Sequence, residues 1–314
     1  MVKSVICDML GIEYPIFQGA MAWIADGKLA AAVSNGGGLG IISSMNANED
    51  YVRQEIQIAR SLTDKPFGVN VMLLSPHADA VAKLLVEERV PVVTTGAGNP
   101  SKYMKQWLAA GINVIPVVPS TAMARLVERA GAAAVIAEGG ESGGHVGELT
   151  TMALVPQVCD SVRIPVVAAG GIADGRGIAA VFMLGACGVQ LGTRFLVAEE
   201  CRVHRNYKNK ILKAKDIDTM TMGKRMNRPI RCLKTPFARE YVKMEYAGVP
   251  DDTLREKYAG AFRLAAVEGD EQEGCFMSGQ IASMVKKEQP AAEIIRELFE
   301  EAENVLNGAQ KWVK

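Results

Sequence analysis

Residues 137–148 read AEGGESGGHVGE, with five glycines set among Glu138, Glu141, Ser142 and His145, one of only three histidines in the chain. The segment follows the apolar run AAAVI, so it leaves the end of a buried strand. An ordinary turn needs one or two glycines. His145 titrates near neutrality and can serve as acid, base or hydrogen-bond donor. A structural histidine bonded to backbone in a glycine loop fits the same letters.

Two later stretches carry a second kind of chemistry. Gly170 and Gly171 in AAGGIADG, and Gly192 and Thr193 in QLGTRF, each stand where an apolar run ends and another element begins. Main-chain N–H groups at such junctions, with the Thr193 hydroxyl, form a nest for a phosphate monoester. Each glycine pair also suits a tight turn. Asn70 interrupts the apolar run GVNVML. Its amide both donates and accepts, which suits the pyrimidine edge of a flavin as well as an interior amide satisfied by neighbours. Glu138 directly follows its strand and faces either the same ligand or solvent. The loops QGAMAW and TTGAGNP add small residues at further strand ends. Together they suit a flat, bulky ligand that backbone must approach closely.

These residues need a frame that brings strand ends together. Short β-branched runs start at Pro15, Gly38, Pro66, Pro91, Asn113, Ala133, Pro165 and Cys187, and Ala-rich stretches such as GKLAAAVSN, ADAVAKLLVEE, TAMARLVERAG and GRGIAAVFMLG lie between them. Near-continuous apolar strands joined by helical crossovers predict a parallel sheet covered on both faces. Eight units at roughly 20–25 residue spacing predict a closed (β/α)8 TIM barrel with its site at the strand C-termini. NGGGLG, from Asn35, sits between a helix and a strand, so it reads as a helix cap and not a dinucleotide phosphate loop.

The texture changes after residue 200. Residues 202–234 carry eleven Lys or Arg against Asp216 and Asp218. We divide the chain into a barrel at 1–200 and 274–314 and a small, mainly helical subdomain at 201–273, inserted after the eighth strand. The final helix presents Ile294, Ile295, Leu298, Phe299, Ala302, Val305 and Leu306 on one face, with Gly308 as its stop. The chain has 314 residues, no net charge and six scattered cysteines with no CxxC pair. Zero net charge argues against binding nucleic acid over the whole surface. No window reaches the roughly 18 apolar residues of a membrane span. The thiols fit a reducing, cytoplasmic setting and no metal cluster.

Taken together, QGAMAW, AVSNGGGLGII, DKPFGVNVML, TTGAGNP, AEGGESGGHVGE, IPVVAAGGIADGRG and VQLGTRF resemble the nitronate monooxygenase family of FMN barrels. Within it, the chain is most similar to the bacterial enoyl-[acyl-carrier-protein] reductase II branch, also through HRNYKNKILKAKDID and FMSGQIASMV. The resemblance implies FMN at the barrel mouth, its phosphate in the last two loops. It implies contacts at Gly19, Ala20, Met21, Ala22, Asn70, Glu138, Gly144, Ala169, Gly170, Gly171, Gln190, Gly192 and Thr193, with Gly279 and Gln280 closing the site. Ala20 stands where the family commonly has glycine, and Ile281 where a smaller residue is usual; both narrow the expected pocket.

On this resemblance, NADH or NADPH reduces the flavin, and an enoyl thioester on acyl carrier protein is the substrate. His145 polarises its carbonyl or delivers a proton, whereas His77 and His204 stay outside the chemistry. A homodimer and a response to a monovalent cation are ordinary for the family. Two other functions share the barrel: a flavin oxygenase acting on nitronates, and a non-catalytic binder of a phosphorylated ligand. The purine-nucleotide dehydrogenases share the last two loops but need a cysteine nucleophile, and none of the six cysteines follows a suitable strand end.

Overall fold

A computed structural model of the chain describes residues 2, 4–45 and 47–312. A short helix, α1 (Val5–Leu10), precedes the barrel; Ser4 caps it by accepting from the Ile6 N–H, and Gly11 ends it at φ 68°. Then come β1 (Ile16–Gln18), α2 (Gly27–Asn35), β2 (Leu39–Ser43), α3 (Glu49–Leu62), β3 (Phe67–Met72), α4 (Ala78–Glu87), β4 (Val92–Gly96) and α5 (Ser101–Ala109). The alternation continues with β5 (Asn113–Val118), α6 (Thr121–Arg129), β6 (Val135–Glu138), a two-residue strand β7 (Gly144–His145), α7 (Thr151–Ser161), β8 (Val166–Ala169), α8 (Gly175–Met183) and β9 (Gly188–Leu191). All eight runs expected as barrel strands form them.

β1, β2, β3, β4, β5, β6, β8 and β9 close into a parallel barrel, with β1 bonded to β9 in register Phe17 to Gln190. The alternation of a strand sends every second side chain inward. Phe17, Leu39, Ile41, Val92, Ile115, Ala134, Ile136, Val167 and Ala169 form the barrel interior, and Ile6, Leu10 and Ile12 of the N-terminal segment pack with them. The other set packs outward on the helices in the main core. Close approach is needed at Gly40, where a Cβ would lie 1.9 Å from the Ala30 carbonyl oxygen of α2.

Beyond β9, α9 (Arg205–Lys213) leads to a hairpin of β10 (Thr219–Met222) and β11 (Ile230–Leu233), then to α10 (Pro236–Tyr246), α11 (Asp251–Tyr258) and α12 (Ala261–Arg263). The insertion is mainly helical, but the hairpin falls in a stretch that reads as irregular from its sequence. Its apolar residues are spaced by charges, and β11 is completed by pairing with β7 from the glycine loop, which local sequence does not show. A second core holds Met222, Ile230, Cys232, Phe237, Tyr241, Leu254 and Cys275, while Tyr207 and Ile211 of α9 belong to the main core. The last helix, α13 (Ala291–Asn307), buries Ala291, Ile294, Ile295, Leu298, Phe299 and Ala302. Val305, expected on the same face, is 38% exposed. Among the described residues, no helix is long and apolar enough to cross a membrane.

Candidate active site at the barrel mouth

The loops after β8 and β9 lie side by side because their strands are neighbours. Gly170 and Gly171 take left-handed conformations, φ 89° and 74°, which favour glycine. Asp174 accepts from the Arg176 and Gly177 N–H groups and so fixes the start of α8. The N–H groups of Gly170, Gly171, Gly192 and Thr193 find no backbone acceptor among the described residues. Gly192 faces open space: a Cβ there would meet nothing nearer than the Met21 sulfur at 3.8 Å. Main-chain donors without backbone acceptors, with room beside Gly192, fit a phosphate monoester.

The other expected contacts line the same mouth. Asn70, Glu138, Ala169 and Gln190 share the inward parity of their strands, through the pairs Asn70 with Thr94, Glu138 with Ala169, and Ala169 with Gln190. Asn70 donates from Nδ2 to the Thr94 hydroxyl at 3.0 Å, which leaves its carbonyl oxygen available. Gly19 sits against the Gln190 side chain, and its N–H donates to the Leu191 carbonyl. Ala20 packs against the barrel interior. Met21 and Ala22 form the turn beyond it, where the Met21 carbonyl accepts from Ile24 and Ala25. Burial pushes the Glu138 carboxyl up to about 7, so it keeps its proton, and can donate, well above the ordinary carboxylate range.

The glycine loop is tied down on two sides. The Glu141 carboxylate accepts from the Thr151 N–H at 2.9 Å and from its hydroxyl at 3.0 Å. The Glu141 carbonyl accepts from the Gln280 N–H at 2.9 Å, and the Thr193 hydroxyl oxygen accepts from the Gly279 N–H at 2.9 Å. The segment at 279–280 therefore joins the phosphate-side loop to the glycine loop. Arg231 donates from Nε to the Gly140 carbonyl at 3.1 Å and stands opposite Gly144 in the β7–β11 pair. Ile281 is buried in the main core.

His145 stands opposite Ile230, on the hairpin side of the loop. Its ring lines a slot with Met222, Met226, Arg228, Tyr241 and Tyr258. Desolvation first, and the nearby Arg228 guanidinium second, hold its pKa below the usual histidine value. His204 caps α9, its Nδ1 accepting from the Asn206 N–H at 3.1 Å, and His77 precedes α4 without a capping bond. Among the described residues, no group of three His, Cys, Asp or Glu side chains could hold a metal ion.

Sequence reasoning passes over Thr94, Glu141, Thr151 and Arg231. Thr94 was visible as the polar half of TTG, one strand away from Asn70. Arg231 carried no signal, because its role depends on the pairing of β11 with β7.

Comparison with known proteins places this geometry in context. The sequence profile described as nitronate monooxygenase matches residues 3–84 and 77–301. The structure of FabK from Thermotoga maritima is 50% identical, covers 100% of both chains and superimposes with a TM-score of 0.98. Among curated relatives, (3aS,4S,5R,7aS)-5-hydroxy-7a-methyl-1-oxo-octahydro-1H-indene-4-carboxyl-CoA dehydrogenase of Rhodococcus jostii is 38% identical over 78% of this chain and 69% of its own length. A probable nitronate monooxygenase of Staphylococcus aureus is 32% identical over 97% of this chain and 98% of its own.

Proposed function

This chain belongs to the nitronate monooxygenase family, whose members are oxidoreductases, and from that premise we propose that it is an FMN-dependent enoyl-[acyl-carrier-protein] reductase. The observation that carries the reading is the similarity to FabK over the full length of both chains, joined to the same branch resemblance in the sequence motifs. Bound flavin supplies a two-electron centre that takes hydride from NADH or NADPH and gives it to the β-carbon of a trans-2-enoyl thioester.

The residues of the chain do the rest. The four main-chain donors at 170–171 and 192–193 grip the phosphate. Asn70, fixed by Thr94, offers its carbonyl to an N–H on the ring edge, and Glu138 lies across the barrel on the same inward face. Hydride addition leaves negative charge on the thioester oxygen, and a donor placed there lowers the barrier. His145 is that donor. With its pKa held below the usual histidine value, the ring at pH 7 favours hydrogen bonding from N–H over delivery of a proton from imidazolium, and the α-carbon takes its proton from solvent.

The basic stretch supports the carrier-protein substrate. Arg202, Arg205, Lys208, Lys210 and Arg225 have acidic partners elsewhere in the fold. Lys213, Lys215, Lys224 and Lys234 are exposed with no ion pair among the described residues. Acyl carrier protein is acidic, so these cations steer it, and kcat/KM with the carrier-protein substrate should fall steeply between low and high salt. A flat salt response removes this role.

The competing reading, oxidation of nitronates by O2, is favoured by the family match and the Staphylococcus aureus relative. An anaerobic titration separates the two. NADH or NADPH bleaches the flavin of a reductase, and crotonyl thioester restores the colour without oxygen. A flavin that only nitronate reduces, and only O2 restores, overturns the proposal. Protein that binds no flavin overturns both.

A further inference from the structure

A cavity of about 90 Å³ lies between the β10–β11 hairpin, the loop that closes it and helices α10 and α11. Its walls differ in burial. Met222 and Ile230 are 1% and 5% exposed, while His145, paired beside Ile230, and Arg228 lie exposed. Arg228 has no acidic partner among the described residues, and its charge reaches the His145 ring. An apolar wall with a cation and an imidazole beside it complements a molecule with an oxygen that gains negative charge and an apolar tail beyond it.

We propose that this slot receives the acyl tail of the substrate, with the thioester carbonyl held at His145. The assignment rests on the reductase reading above. The slot as it stands takes only a short chain of methylene groups. Met226 sets that limit. It sits in the turn between Gly223, φ 78°, and Asn227, φ 53°, and its sulfur accepts from the Tyr241 hydroxyl at 3.5 Å. Methionine is unbranched and adaptable, so longer chains enter by displacing its side chain from Tyr241.

The test measures kcat/KM of the flavin-loaded enzyme for trans-2-enoyl-CoA substrates of four, six, eight and ten carbons. Burial of each added methylene should raise kcat/KM roughly fourfold while the slot fills. Met226→Trp fills the slot, so the eight-to-four-carbon ratio should fall at least tenfold, and Met226→Leu should keep it. Tyr258→Ala widens the opposite wall and should move the optimum to longer chains, which preserves the test if the tryptophan variant does not fold. In parallel, calorimetry compares binding of the saturated butyryl-CoA and octanoyl-CoA. Chain-length ratios that are the same in wild type and variants, in turnover and in binding, overturn the slot. Length-dependent binding that Met226→Trp abolishes, in a protein that reduces no enoyl thioester, upholds the slot and overturns the reductase reading instead.

Discussion

The two sides of the mouth are held by different means. Beside β8 and β9, the donors are main-chain groups of the barrel itself, set by strand ends, left-handed glycines and the Asp174 cap. On the side of β6, the glycine loop is held from outside the barrel. Arg231 and Ile230 come from a hairpin some ninety residues further along the chain, and Gln280 comes from further still. One side is as rigid as the barrel; the other is as rigid as the insertion that pairs with it. Grip on the cofactor and placement of the reacting group should therefore be separable by mutation.

The strongest challenge to that separation is His145→Ala. It should lower enoyl-thioester turnover by 10²- to 10⁴-fold and leave flavin content at the wild-type level. A loss within about threefold removes His145 from the mechanism. Gly192→Ala attacks the other side. Its Cβ would enter the open space beside Met21, with no clash on the glycine loop, and should weaken flavin binding roughly tenfold by fluorescence titration, as loss of about 1.4 kcal/mol would. Turnover per bound flavin should change much less.

Arg231→Met removes the tie to Gly140 without touching the barrel. Turnover should fall roughly tenfold, as expected for loss of one hydrogen bond from a charged donor, again at full flavin content. If flavin is lost in this variant, the two sides are one cooperative unit and the distinction fails. The smallest effect concerns Glu138. Its folded pKa of about 7 lies above the ordinary glutamate value of 4.5, so between those values the folded chain keeps a proton that the unfolded chain releases. The contribution of Glu138 to stability of the flavin-free chain is then fully present below pH 4.5 and is lost as pH rises through about 7, by on the order of 3 kcal/mol at most. Glu138→Gln should flatten that slope in denaturant melts.

The same division explains what the amino-acid order revealed. Strand runs such as PFGVNVML, and glycines at helix starts, are local signals, and the barrel and the phosphate-side loops were legible from them. The final helix was legible too, except that Val305 lies beyond the part of α13 that packs. The hairpin was not. TMTM is short and half threonine, IRCL is short and interrupted by Arg231, and β11 is completed by pairing with Gly144 and His145 across a long sequence separation. The core that Ile281 joins was not legible for the same reason: it depends on where the returning chain meets the barrel.

The packing of α13 has a consequence for how the molecule is made. That helix lies on α8 and on α2, close enough that a Cβ at Gly36 would lie 2.9 Å from Ala292 Cα and one at Gly175 would lie 2.3 Å from the Ala302 nitrogen. The Glu301 carboxylate also accepts from the Gly175 N–H at 2.8 Å. The seam where the first and eighth strands meet is thus latched by a helix that follows both strands and the whole insertion in the chain. Closure of the barrel on this side depends on the chain having returned from the insertion.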